Sequence, residues 1–106
     1  MGKFKIVLVE GELSFENSKS VKREIIELCT KNSGDLILDL SDVSYIDSLG
    51  FATLLSVLHA CIACKKKVFY VIPEGSRVRE AMNTTGLGNI LTIRESVKEI
   101  LESEGG

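Results

Sequence analysis

The chain is short of histidine, has no excess of positive charge and has no long apolar run. Its one histidine is His59. A zinc site would want further histidines or a second cysteine pair beside Cys61-Ile-Ala-Cys64. Lysine and arginine number 13 against 15 aspartates and glutamates, a net charge of −2. Nucleic-acid binding would need a basic patch or stripe. The one dense basic cluster, Lys65-Lys66-Lys67, reads as a solvated helix end that favours the dipole. The longest nearly apolar stretch, Ala52 to Cys64, is 13 residues and contains His59, whereas a membrane span needs about 20. Cysteines are few and odd in number, at 29, 61 and 64. No segment has the charged, apolar and small-residue parts of an export signal. These features predict a soluble, cytoplasmic protein with reduced thiols and neither nucleic acid nor membrane as partner.

What is present is an ordinary globular composition, 44% hydrophobic and 26% charged over 106 residues. That is enough for one domain with its own core. Phe4 to Val9 is apolar and β-branched and reads as a strand, with a turn or bulge at Glu10-Gly11-Glu12. A helix capped by Asn17 or Ser18 runs to Thr30, with Val21, Ile25 and Leu28 at helical spacing. Asn32 to Asp35 is a loop. Leu36 to Leu40 is apolar on both faces apart from Asp39, as in an interior strand of a parallel sheet. A polar loop then leads to Asp47-Ser48 and the central helix, which ends near Cys64. Val68 to Ile72 is a strand, broken by Pro73-Glu74-Gly75. Ser76 caps a short helix that Gly86 closes in the left-handed conformation. Ile90 to Ile93 reads as a strand, Glu95 to Glu102 as a helix and residues 103–106 as a frayed tail. Strands alternating with helices predict an α/β domain over 1–106. The sheet is four-stranded and mostly parallel, with room for one antiparallel edge strand, and carries four main helices. We see no repeat, linker or low-complexity segment.

The central helix is apolar almost all round, so it must be covered on more than one side. Thr53, Ser56 and His59 draw a thin polar line along it, which is either part of a sandwiched core helix or a partner surface. At its start, Ser48 is open to three readings. As a nucleophile it lacks the two glycines of an elbow, and His59, 11 residues along the same helix, is about 16 Å away. As a cap it is ordinary. As a modification site it would place an added anion on backbone N–H groups and the positive end of the dipole, against repulsion from Asp47. Gly50 is there either for close packing or to leave the backbone around Ser48 uncovered. The cysteine pair at 61 and 64 lies at the C-terminal end of the helix, where the dipole disfavours a thiolate, so core cysteines are expected and no metal. Gly86-Leu-Gly88 lacks the third glycine of a dinucleotide fingerprint and follows a helix. It reads as a turn.

Leu40-Ser-Asp-Val-Ser-Tyr-Ile-Asp-Ser-Leu-Gly-Phe51 resembles the signature of bacterial anti-sigma factor antagonists, the stand-alone STAS domains. Gly11-Glu12-Leu13, Val78-Arg-Glu-Ala-Met82 and Thr85-Gly-Leu-Gly-Asn-Ile-Leu91 resemble further family segments, so the likeness covers nearly the whole chain. Leu49 stands where the family has serine or threonine, and Ser14 where it has aspartate. The resemblance implies a STAS fold and no enzymatic activity. It implies phosphorylation at Ser48, the serine after the motif aspartate. It also implies a partner that is both anti-sigma factor and serine kinase, and a PP2C-type phosphatase that reverses the mark. Binding of the unphosphorylated form would free a sigma factor. The surface expected to meet the partner is Asp47, Leu49, Gly50, Phe51, Thr53 and Ser56, with no cofactor and no catalytic residue. Two other readings remain: a STAS scaffold in a stress-signalling assembly with Ser48 unmodified, and a small-ligand or anion-binding domain. Labelling of Ser48 by a recruited kinase, assembly without phosphate transfer, and saturable ligand binding without a partner separate the three.

Overall fold

The computed structural model describes residues 4–31 and 34–104. Four strands, β1 (Phe4–Leu13), β2 (Asp35–Ile46), β3 (Val68–Val71) and β4 (Ile93–Arg94), alternate with helices α1 (Ser18–Lys31), α2 (Ser48–Ala63), α3 (Arg77–Thr85) and α4 (Val97–Glu104). The sheet runs β1-β2-β3-β4 and every ladder is parallel. The room left for an antiparallel edge strand is not used among the described residues.

Period-two alternation along β2 and β3 decides the layers. Leu36, Leu38, Leu40, Val68, Tyr70 and Ile72 share one core with Ile25 and Cys29 of α1, Leu54, Val57 and Cys61 of α2, and Val78 and Met82 of α3. Ile37, Phe69 and Val71 form a second, smaller core with Ile100 of α4. Three helices therefore cover one face and one helix the other. Continuous apolar strands are what a sheet covered on both faces requires. Tyr70, fully buried, places its hydroxyl in the main core, where it donates to the Leu54 carbonyl at 2.7 Å. Burial pushes its phenol well above the ordinary pKa.

The sequence expectations hold for the order and type of the elements and fail at some edges. Ser41 to Ile46, expected as a loop, continues β2 and pairs with Glu10 to Leu13. Only Val43 is buried there, so the segment lacks an apolar signature. It is polar because it outruns β3, which pairs only with Leu36 to Asp39. Beyond Asp39, β1 and β2 form a two-stranded ribbon. The bulge expected at Glu10-Gly11-Glu12 is present as register shifts between Leu8 and Glu10 and between Gly11 and Glu12. Gly11 has φ +77°, a conformation that glycine adopts without the Cβ penalty. Ile90 to Ile93 is not a strand throughout: a 3-10 turn at Leu87–Asn89 comes first, and β4 is Ile93–Arg94. α4 starts later than expected and continues through Glu104, so Ser103 and Glu104 are helical rather than frayed. Asn32 and Ser33 of the expected loop, and Gly105 and Gly106, lie outside the described residues. Ser76 caps α3 by accepting from Arg79 N, and Gly86 closes it at φ +78°, both as the sequence predicts.

Candidate interaction site

The ribbon ends where α2 begins. Asp47 N donates to Leu13 O at 3.3 Å, one step past the last paired residues. The Asp47 carboxylate then joins two segments far apart in the chain. Oδ1 accepts from Gly50 N at 2.9 Å and caps α2, and Oδ2 accepts from Phe15 N at 2.9 Å. These backbone donors, Gly50 first and Phe15 second, hold its carboxyl below the usual pKa. The β1–α1 loop that carries Phe15 is itself tied down. Ser14 N donates to Asn17 Oδ1 at 2.9 Å, and Ser14 Oγ to Glu12 Oε1 at 2.7 Å.

The cap therefore belongs to Asp47 and not to Ser48. Ser48 is the first residue of the helix, and it is exposed. Its hydroxyl stands at the positive end of a 16-residue helix and plays no part in the capping bonds. Gly50 is buried, and among the described glycines it is the one with no space for a side chain. A Cβ at that position would overlap the Leu13 carbonyl and lie 2.7 Å from Ile46 Cγ1. Of its two sequence readings, close packing is the one realised, since a buried residue does not uncover anything.

Leu49 is 51% exposed and Phe51 half-buried. Thr53 is buried, its hydroxyl donating to Leu49 O at 3.0 Å with Ser18 O of α1 3.5 Å away as the alternative acceptor. Ser56 is half-buried and His59 exposed. The polar line read along α2 is thus not one surface stripe: its first member points inward and binds α1. The helix is covered by the sheet and by α1, while Leu49, Ala52, His59, Ile62 and Ala63 stay outside.

Beside Ser48 lies a groove of about 290 Å³ between α1 and α2, lined by Leu49, Ala52, Thr53 and Ser56 on one side and by Phe15, Ser18, Lys19 and Lys22 on the other. Phe15, 68% exposed, and the two lysines were not anticipated from sequence. No local signal marks them, because it is the Asp47–Phe15 bond and the parallel packing of α1 on α2 that bring them to the site. The groove has an apolar floor and a cationic rim, and Asp47 and Ser48 directly precede Leu49, its first α2 residue. That arrangement suits docking of a protein surface. Among the described residues no three histidine, cysteine, aspartate or glutamate side chains are grouped to hold a metal. No helix of the described residues is long and apolar enough to cross a membrane.

The fold and this site define a class. The STAS domain family model matches residues 2–100, and the chain belongs to that family. Among its relatives, the anti-sigma-B factor antagonist of Staphylococcus aureus (strain NCTC 8325 / PS 47) is 25% identical over 96 residues, 91% of this chain and 88% of that protein. Of solved structures, a candidate anti-sigma factor antagonist from Thermotoga maritima superposes with TM-score 0.84 at 24% identity, covering 97% of this chain and 88% of that one. The anti-sigma factor antagonist SpoIIAA in its unphosphorylated form gives TM-score 0.71 at 13% identity over 99% of this chain and 91% of that one. The phosphorylated form from Bacillus gives 0.66 at 16% identity over 96% and 91%.

Proposed function

We propose that this chain is an anti-sigma factor antagonist that works as a phosphorylation-switched interaction module in the cytoplasm. Unphosphorylated at Ser48, it docks on an anti-sigma factor that is also a serine kinase, and a sigma factor is released. Phosphate on Ser48 ends the docking, and a PP2C-type phosphatase restores it. The observation that carries the reading is the exposed Ser48 hydroxyl, spared from capping by Asp47, beside the groove between α1 and α2. The names of the relatives support the anti-sigma part of the reading, and the existence of SpoIIAA in two phosphorylation states supports the switch.

Docking uses Asp47, Leu49, Phe51 and Ser56, with Gly50 and Thr53 holding them from inside. Phe15 extends the apolar contact. Lys19 and Lys22 call for acidic groups on the partner. Phosphorylation adds about −1.5 to −2 charge next to Asp47. The helix N-terminus tolerates that charge, so the domain stays folded. The interface does not tolerate it, since a charge buried without a counter-ion costs several kcal/mol. Titration calorimetry against the cognate kinase tests this. Ser48→Ala should bind as the unmodified protein does and resist switching. Phosphorylated protein should bind about 100-fold more weakly, or about 3 kcal/mol, with Ser48→Asp in between. Equal affinity for all forms would sink the switch.

A further inference from the structure

The far ends of α1 and α2 hold a second arrangement that docking does not use. Cys29, in the last turn of α1, and Cys61, in the last turn of α2, are both buried, and their sulfurs lie 3.2 Å apart. A disulfide has S–S of about 2.05 Å, so the two sulfurs need to close by little more than about 1 Å. Cys64, three residues beyond Cys61, is the C-cap of α2 and, unlike the other two, is exposed. After it the chain turns through Lys65 at φ +58°, with Lys66 N donating to Cys61 O at 2.8 Å and Lys65 N to Ile62 O at 3.0 Å. This is a Schellman closure, here made at a lysine instead of the usual glycine. It directs Lys66 Nζ onto the Cys29 carbonyl. The end of α1 is thereby tied by a cation to the turn that closes α2, beside a pair of thiols.

We propose that Cys29 and Cys61 form a reversible interhelical disulfide, with Cys64 as the thiol through which a small-molecule disulfide gains entry. Three exchanges accomplish it. The Cys64 thiolate attacks one sulfur of the small disulfide and releases one small thiol. Cys61 attacks Cys64 Sγ, releasing the second small thiol and leaving a Cys61–Cys64 bond. Cys29 then attacks Cys61 Sγ, and Cys64 departs and takes up the proton that Cys29 gives up. In sum, two protein thiols lose two electrons and two protons, and the small disulfide gains them. Burial raises the Cys61 thiol pKa, and the adjacent Cys29 raises it further. Both sulfurs of the pair are buried, so a disulfide dissolved in the solvent does not reach them directly. Relay through an exposed neighbour bypasses that block. The product ties α1 to α2 and closes a long loop in the unfolded chain.

Oxidised glutathione added to the folded protein, followed by intact mass and peptide mapping, tests the assignment. The expected product has lost two hydrogens, and a peptide containing Cys29 is joined to one containing Cys61. Its melting temperature should rise by about 10 °C and return to the starting value after reduction. Cys64→Ser, at an exposed position that leaves the fold intact, should yield the same linkage about tenfold more slowly. Glutathione held only on Cys64, a stable Cys61–Cys64 bond or a dimer joined through Cys64 would overturn the pairing. An unchanged rate in Cys64→Ser would overturn the relay.

Discussion

The two ends of α2 are made of opposite materials. At the N-terminus one ionised carboxylate satisfies a cap amide and a loop amide, a serine hydroxyl is left outside, and a glycine lets a carbonyl come close. At the C-terminus two thiols are enclosed in apolar surroundings and a lysine closes the turn. The helix dipole separates the two chemistries. Its positive end stabilises anions, which suits Asp47 and a phosphate. Its negative end disfavours a thiolate, which suits Cys61, whose thiol pKa burial already raises. The same residues exchanged end for end would give a reactive thiol and a poorly tolerated phosphate.

Three experiments sharpen that contrast. The largest effect should come from Gly50→Ala. The added methyl meets the Leu13 backbone, which has no free end to swing away. A loss of about 3 kcal/mol in urea denaturation is expected. A loss below about 1 kcal/mol would mean that the N-terminal end is looser than its packing implies. Next comes Asp47. Its folded pKa lies below the ordinary 3.8. The stability it supplies is thus present above that value and lost as pH falls through the folded pKa. Asp47→Asn should lower the urea midpoint at pH 7 and lose less than the parent between pH 4 and pH 2. Equal acid losses in both would remove the carboxylate from its capping role. The smallest effect should come from Tyr70→Phe, which tests the middle of the helix. It deletes a buried bond to Leu54 O and should cost about 1 kcal/mol without altering either end. Changed access of an alkylating reagent to Cys61 would show that the ends are coupled through this point.

Much of the fold was legible because its strands are continuous apolar runs and its helices have clear periods. Val68 to Val71 and Leu36 to Leu40 could be little else. The ribbon was not legible: Ser41 to Ile46 has a polar composition, and its strand character comes from β1, about 30 residues earlier in the chain. At the site, Asp47 and Ser48 stood out through their position before an apolar helix. Which of them makes the cap depends on where the ribbon leaves the backbone. Phe15, Lys19 and Lys22 could not be read, since nothing in their own neighbourhood refers to α2. Thr53 and Ser56 look equivalent in sequence and differ only because α1 packs over one of them. Cys64 matched its partner in spacing but lies past the last turn, where the chain leaves the core.

The strand order has a consequence for how the molecule comes into being. In β1-β2-β3-β4 each strand lies beside the one that precedes it in the chain. No strand waits for a partner made much later, and each pairing closes only one helix-length loop, which keeps contact order low for a parallel sheet. The residues that shape the Ser48 end, from Leu13 to Ser56, all belong to the first two strand–helix units. On a ribosome, where synthesis proceeds at about 5–20 residues per second, those units emerge first. The Ser48 end is thus encoded wholly ahead of β3 to α4, which supply its backing.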